Sequence, residues 1–160
     1  MALRILIAAG GTVGHVAPAL AVADELRGRG VDVVFAGTPE RIEAELVPAH
    51  GYPFHAFRVS GIPRRVGVGT VRAVGRGLAA PVACSRIIAE VRPDAVFGAG
   101  GYVAGPMLAA ARRHSIPSAL SEADARLGWA NRLAAPLVDR VFLAFPIEGR
   151  RPPLYLVTGR

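Results

Sequence analysis

The sequence of 160 residues has one cysteine, one tryptophan and no lysine, so all of its 19 basic residues are arginines. A single cysteine, Cys84, excludes a disulfide within the chain and indicates a reducing compartment. We predict that this cysteine is a small buried hydrophobic residue. Because the histidines and the cysteine have no close ligand spacing, the sequence predicts no metal site, and no cofactor is expected.

No apolar run in the sequence is long enough to cross a membrane. The longest uncharged run, Ala95–Ala111, is interrupted by several glycines and by Pro106. A membrane-spanning helix needs about 20 continuous apolar residues. This run therefore predicts a strand, a glycine loop and the start of a helix.

Positive charge is in excess, with a formal net charge of +7 in a chain that is 52% hydrophobic. Such a surplus favours anionic partners, namely phosphorylated substrates, an acidic membrane surface or nucleic acid. The arginines are dispersed and have no helix-turn-helix, RNP or zinc-finger pattern around them. We therefore expect no nucleic acid partner.

Apolar strands and helical segments alternate along the whole chain. Continuous apolar strands imply a sheet that is covered on both faces, and the alternation implies parallel pairing with right-handed crossovers. The sequence therefore predicts an α/β fold, a Rossmann-like doubly wound parallel sheet with helices on both faces, in one domain over 1–160. Strands are predicted at 3–8, 31–37, 54–59, 94–98, 117–120, 138–145 and 154–157, and helices at 18–27, 39–51, 70–91, 105–114 and 127–135.

Ligands of such folds bind beyond the carboxyl ends of the strands, which selects the loops 10–15, 60–69, 98–106 and 121–128. The first of these, GGTVGH, does not fit the dinucleotide fingerprint and has no P-loop lysine. Its glycines allow a phosphate to approach the start of the next helix. His15 lies at this positive helix end, which favours the neutral imidazole that can accept a proton. The alternative is a histidine that only caps the helix.

Two further loops carry polar or small residues. In GAGGYVAGP, Gly100 and Gly101 leave backbone amides open, and Tyr102 could stack on a ligand or pack under the loop. In SEADARLGWANR, Glu122, Asp124 and Asn131 suit sugar hydroxyls, while the alternative for Asp124 is capping of the next helix.

The segment 60–91 mixes arginines with small apolar residues. Such a segment can lie at a bilayer interface and favour anionic lipid. The alternative is an ordinary surface helix whose apolar stripe faces the sheet. The arginines predicted to face the membrane are Arg64, Arg65, Arg72 and Arg76.

In combination and in order, these motifs resemble the MurG family of GT-B glycosyltransferases. The match runs from GGTVGHVAPALAVADEL and GTPERIEAELVPAHG through RVSGIPR and GAGGYVAGP to SEADARLGWANRLAA. It covers the whole chain as that family's N-terminal, acceptor-side domain. The resemblance implies transfer of GlcNAc from UDP-GlcNAc to a polyprenyl-diphosphate-linked sugar, a lipid intermediate of peptidoglycan, on the cytoplasmic face of the cell membrane, where the protein would be peripheral.

The resemblance also implies roles for individual residues. His15 would be the general base that takes a proton from the acceptor's 4-hydroxyl, with inversion at the sugar carbon. Thr12, Val13, Gly14 and Asp124 would border the donor and the diphosphates. The acceptor would be seated by Gly11, Gly101, Tyr102, Glu122 and Asn131.

Two departures from the family pattern concern the residues that would border the diphosphates, and they leave the identity of both the acceptor and the donor open. Val13 stands where the family usually has glycine, and a β-branched residue narrows the approach to phosphate. SEAD stands in place of His-Glu-Gln-Asn, so that Asp124 sets a negative charge near a diphosphate-bearing donor unless it is protonated or paired.

The family's C-terminal, donor-binding domain is missing from this chain, so we expect no transfer by the 160 residues alone. One alternative is a natural one-domain subunit that recruits a separate donor-binding chain to the membrane. Another is a dinucleotide-dependent oxidoreductase. Two observations count against the oxidoreductase. The glycine spacing in GGTVGH does not match the dinucleotide-binding fingerprint, and no acidic residue ends the second strand.

Overall fold

The computed structural model describes residues 2–59 and 68–159, and from 68 to 79 it describes the backbone alone. Seven strands form one sheet in the order β3-β2-β1-β4-β5-β6-β7, and every neighbouring pair is parallel. The predicted doubly wound parallel sheet is therefore confirmed. The strands are β1 (Arg4–Ala8), β2 (Asp32–Gly37), β3 (Phe54–Ala56), β4 (Ala95–Gly98), β5 (Ser118–Glu122), β6 (Arg140–Leu143) and β7 (Tyr155–Val157).

The helices alternate with these strands over most of the chain. They are α1 (Val13–Gly28), α2 (Glu43–Ala49), α3 (Val68–Val91), α4 (Gly101–Arg113) and α5 (Trp129–Ala134), and a 3₁₀ turn follows at Ala135–Leu137. None of the helices in the described ranges is both long enough and apolar enough to span a bilayer.

The central strand β1 is buried on both faces because successive side chains of a strand point to opposite sides. Ile7 packs with Phe35 beneath α1 and α2. Leu6 packs on the other face, where Met107 and Leu120 belong to the cluster that includes α3, α4 and α5. All five side chains are fully buried, and each contributes about 1.5–3 kcal/mol to folding. Continuous apolar strands thus indicate the covered centre of the sheet correctly.

The sheet face that carries α1 is less completely covered over the strands β4, β5 and β6. An apolar groove of about 970 Å³ runs between α1 and the strands β4, β5 and β6. Phe97 and Phe142 line it and are half-buried. Coverage on both faces is therefore confirmed at the centre of the sheet, while the helices of the described ranges leave this groove open.

The strand order reverses between β1 and β4. From β1 the chain runs outward to β3, and α3 then leads it back to β4 on the other side of β1. The loops after β1 and β4 consequently start next to each other at the carboxyl edge of the sheet. In open parallel sheets this reversal is where ligands bind.

Three predicted boundaries near this edge are wrong. α1 begins at Val13 and α4 at Gly101, whereas the predicted starts are Pro18 and Gly105. Part of each glycine loop is therefore the first turn of a helix. β5 continues to Glu122, two residues past its predicted end.

Candidate active site at the carboxyl edge of the sheet

The two glycine loops touch each other at the point where the strand order reverses. A Cβ on Gly101 would lie 2.7 Å from the carbonyl oxygen of Gly10, and Gly101 has a φ of +77°. Only glycine satisfies both conditions without displacing the backbone. The loops therefore form one continuous wall at the edge of the sheet.

His15 lies in the first turn of α1, and its ring faces the start of α4. Its ring is so close to the second glycine loop (98–106) that a Cβ on Gly100 would be 3.1 Å from Nδ1, and a Cβ on Gly101 would be 3.3 Å from Cδ2. The side chain is half-buried, so the imidazole keeps contact with solvent. Thr12 is the N-cap residue and His15 is the third residue of the helix. The alternative that His15 caps α1 is therefore wrong.

Both helix starts at this wall are free of acidic residues. Neither α1 nor α4 has an aspartate or glutamate in its first turn, and their N-caps, Thr12 and Gly100, make no side-chain capping bond. The first backbone N–H groups of a helix have no acceptor within the helix, and the dipole makes this end positive. Two such ends next to each other, with the His15 ring at their contact, favour an anionic ligand.

A cleft of about 530 Å³ opens beside the first loop. Gly11, Thr12 and Val13 form one side. The other side consists of residues of the β2–α2 connection and of α2, and its charged members are Glu40, Arg41 and Glu45. Val13 is 55% exposed, so its branched side chain stands at the mouth of this cleft.

Tyr102 connects the two loops. It is the second residue of α4, and a Cβ on Gly11 would lie 3.1 Å from its Cε1. The ring is half-buried and also packs against the core cluster that contains α4. The geometry favours the packing alternative, while part of the ring remains accessible at the edge.

Glu122 and Asn131 lie beneath the loop 121–128 and hold it in place. Glu122 is 5% exposed and Asn131 is 6% exposed. The Glu122 carboxylate accepts the N–H of Asp124 (3.1 Å), the N–H of Gly128 (2.7 Å) and Nδ2 of Asn131 (3.0 Å). Asn131 Nδ2 also donates to the carbonyl of Ser121 (3.2 Å). These contacts connect the end of β5, the loop and the start of α5.

Asp124 lies in this loop with its side chain exposed. Its backbone N–H is the group that bonds to Glu122. The N-cap of α5 is Gly128, so the alternative that Asp124 caps the helix is wrong. An exposed carboxylate at this edge is available to a ligand or to solvent.

Sequence reasoning missed a second buried carboxylate, Glu43, the first residue of α2. Its side chain is 0% exposed. The carboxylate accepts the N–H and the hydroxyl of Thr38 and the N–H of Gly11. The signal available in the sequence was the spacing of Glu43 and Val47, which face the core from successive turns of one helix.

The described parts of the chain bring together no group of three or more His, Cys, Asp or Glu side chains that could hold a metal ion. The arginines predicted to face a membrane lie outside the described side chains. Arg64 and Arg65 precede the described part of α3, and Arg72 and Arg76 belong to the stretch described by its backbone alone.

Comparisons with known proteins agree with this architecture. A family model described as the glycosyltransferase family 28 N-terminal domain matches residues 5–143. The chain is 48% identical over 146 residues to the UDP-N-acetylglucosamine–N-acetylmuramyl-(pentapeptide) pyrophosphoryl-undecaprenol N-acetylglucosamine transferase of Acidithiobacillus ferrooxidans. It is 46% identical over 143 residues to the transferase of the same name from Pseudomonas putida. These matches cover 91% and 89% of this chain but 41% and 40% of the relatives. The chain thus spans about two fifths of the length of these curated relatives.

Solved structures give the same picture. The crystal structure of Acinetobacter baumannii MurG superposes with a TM-score of 0.80 at 32% identity, covering 98% of this chain and 45% of that one. A UDP-N-acetylglucosamine 2-epimerase superposes with a TM-score of 0.71 at 17% identity, covering 99% of this chain and 48% of that one. The second likeness concerns the fold alone.

Proposed function

The chain belongs to the glycosyltransferase family 28 N-terminal domains, and from this membership we propose that it is the acceptor-side domain of a GlcNAc transferase. The enzyme would move GlcNAc from UDP-GlcNAc to a polyprenyl-diphosphate-linked muramoyl pentapeptide. The predicted MurG resemblance is confirmed by the relatives in sequence and structure. The same membership speaks against the dinucleotide-dependent oxidoreductase.

The observation that carries the proposal is the position of His15 in the first turn of α1, with its ring against Gly100 and Gly101 at the start of α4. In the proposed reaction, neutral His15 takes the proton of the acceptor's 4-hydroxyl. The hydroxyl oxygen forms a bond to the anomeric carbon, and the bond from that carbon to the UDP oxygen breaks. The electron pair leaves with UDP, and the configuration inverts.

The remaining predicted residues divide into three groups in this proposal. Thr12, Val13 and Gly14 would border the diphosphates, because α1 starts there and its first N–H groups have no acceptor within the helix. Gly11, Gly101 and Tyr102 would form the wall beside the acceptor. Asp124 would meet donor hydroxyls, whereas a phosphate next to its carboxylate would be repelled.

Glu122 and Asn131 would act on the acceptor through the loop that they hold. Both oxygens of the Glu122 carboxylate are occupied by N–H groups of the protein. A direct contact with an acceptor would have to displace one of these bonds in a buried site. We therefore propose that the pair positions residues 123–128, and that ligand contact is left to exposed groups of the loop.

Two parts of the proposal concern the rest of the enzyme. A C-terminal domain would supply most of the nucleotide-sugar contacts, which agrees with the share of the relatives that this chain spans. Arg64, Arg65, Arg72 and Arg76 would face an anionic membrane surface on the cytoplasmic side, which agrees with the net charge of +7.

The test is a transfer assay with labelled UDP-GlcNAc and a short-chain polyprenyl-diphosphate acceptor, performed with the full-length gene product and with the isolated 160-residue chain. We expect transfer by the full-length product and none by the isolated chain. An acceptor that lacks the diphosphate is the matched control and should react far more slowly. Failure of the full-length product to transfer GlcNAc would refute the proposed activity, and turnover by the isolated chain would refute the need for a second domain.

A further inference from the structure

A fully buried carboxylate lies behind the first glycine loop. Glu43 Oε1 accepts the backbone N–H of Thr38 (3.1 Å) and its hydroxyl (2.5 Å), and Oε2 accepts the N–H of Gly11 (3.2 Å). These donors are all neutral. The three hydrogen bonds offset the cost of burying the carboxylate, and an aliphatic residue at this position would leave the N–H groups of Thr38 and Gly11 without this acceptor. Glu43 therefore ties the end of β2 to the loop that follows β1.

The surrounding backbone is shaped around this side chain. A Cβ on Gly10 would overlap Glu43 Oε1, and a Cβ on Gly37 would lie 2.7 Å from Glu43 Cγ. The chain thus has glycine where β1 leads into its loop and again at the end of β2. These two glycines create the slot that holds the carboxylate.

The bond to Gly11 fixes the segment that leads into α1. Gly11 has a φ of +95° and turns the chain from β1 toward the helix, and Thr12 follows as the N-cap. The N–H groups of Val13 and Gly14 come next and have no acceptor within the helix. His15 follows them in the same turn. The position of Gly11 therefore controls both the N–H groups and the imidazole.

We propose that Glu43 is a positioning residue that holds Gly11 through its N–H and thereby sets the start of α1, where the diphosphate and the acceptor hydroxyl are bound. This inference rests on the proposed function. Glu43 is fully buried, so it acts through the loop and not by contact with substrate. Sequence position gives no hint of this role, because Gly11 is 32 residues away.

The test compares Glu43→Gln with Glu148→Gln in the full-length gene product. Glutamine keeps the size of the side chain but places an NH₂ group against one of the N–H donors, whereas Glu148 is exposed in the connection between β6 and β7. We expect kcat/KM to fall by up to about 10²-fold in Glu43→Gln, through a higher KM for the diphosphate substrates and a lower kcat. Glu148→Gln should match the wild type. Thermal unfolding, measured alongside, shows whether the variant is folded at the assay temperature.

Amide hydrogen exchange in the wild-type protein gives a readout that does not depend on the variant. We expect the Gly11 amide to be protected and the Gly14 amide to exchange faster, because only Gly11 is bonded to the carboxylate. A folded Glu43→Gln protein with wild-type kcat and KM, or an unprotected Gly11 amide in the wild type, would overturn the inference. If the wild type itself transfers no GlcNAc, the proposed function fails, whereas normal transfer with an unprotected Gly11 refutes Glu43 alone.

Discussion

The imidazole of His15 lies against Gly100, where a Cβ would come within 3.1 Å of Nδ1. Gly100 is also the N-cap of α4, with φ +97° and ψ 179°, a conformation that is essentially restricted to glycine. The second glycine loop thus forms one wall of the space that holds the proposed base. The loop therefore limits the space that is available to the His15 ring.

Substitution of Gly100 by alanine should therefore impair the proposed reaction. The new methyl group presses on His15, and the backbone conformation adds strain of about 1–3 kcal/mol. We expect a lower kcat for GlcNAc transfer by the full-length gene product and a lower melting temperature, measured by a transfer assay and by calorimetry.

Gly105→Ala is the matched control in the same helix. Nothing lies within 4 Å of a Cβ at Gly105, and this residue is inside α4. Alanine there should raise stability by about 0.5–1 kcal/mol and leave kcat unchanged. Equal kinetic effects of the two substitutions would show that the contact between Gly100 and His15 has no catalytic consequence.

Removal of the imidazole tests the proposed base directly. His15→Ala should lower kcat for GlcNAc transfer by about 10²–10⁴-fold, which is the usual contribution of a general base. His114→Ala serves as the control, because His114 is an exposed residue at the opposite end of α4. Wild-type rates in a folded His15→Ala protein would return His15 to a structural role.

The sheet could be predicted because most of its strands have a local signal. The strands β1, β2 and β4 are largely apolar, and the rule on ligand position then selects the loops after β1 and β4. The contacts of Glu43 and Glu122 could not be predicted, since they depend on which backbone N–H groups the folded chain brings to each carboxylate. A glutamate in the first turn of a helix is ordinarily explained by the dipole, so the spacing of Glu43 and Val47 is the one sequence signal for its burial.

The helix starts show a second limit of sequence reasoning. Proline favours the first position of a helix, which places the predicted starts near Pro18 and Pro106. Both prolines instead lie inside their helices, one turn beyond the true starts at Val13 and Gly101. The preceding glycines have low helix propensity, but the fold uses them in the first turn, where the two loops must approach each other.

The hydrogen bonds of Glu122 lead to a prediction about stability and activity. Glu122→Gln replaces one acceptor oxygen with an NH₂ group that faces N–H donors of Asp124, Gly128 or Asn131. A buried donor without a partner costs about 1–3 kcal/mol. We expect a loss of this size in the free energy of unfolding, measured with denaturant, and a higher KM for the acceptor because residues 123–128 are held less firmly.

Glu148→Gln is the control for that experiment. Glu148 is exposed in the connection between β6 and β7, and surface substitutions of this kind usually change stability by less than about 0.5 kcal/mol. An unchanged free energy of unfolding in Glu122→Gln would show that the three hydrogen bonds to this carboxylate do not stabilise the fold measurably.

Tyr52 leads to a prediction about how stability depends on alkaline pH. The effect is easier to measure because the chain has no lysine that would titrate in the same range. Its hydroxyl donates to Asp24 (2.6 Å), and the Arg27 guanidinium lies 4.3 Å from the ring centre. Burial, followed by the bond to Asp24, raises the pKa of Tyr52 from 10.0 to about 12. Burial likewise raises the pKa of the Cys84 thiol to about 12. With no lysine in the chain, few other groups titrate in this range.

A pKa that is higher in the folded state means that the folded protein binds the proton more tightly. The stabilisation from Tyr52 is therefore complete below pH 10 and is lost as the pH rises toward 12. We expect the free energy of unfolding to fall over this window in a Cys84→Ala background, which removes the thiol's own contribution. Adding Tyr52→Phe should make the curve flatter there while lowering stability at neutral pH. Identical slopes with tyrosine and with phenylalanine would contradict the assignment, because the lost stability would then come from groups other than the Tyr52 hydroxyl.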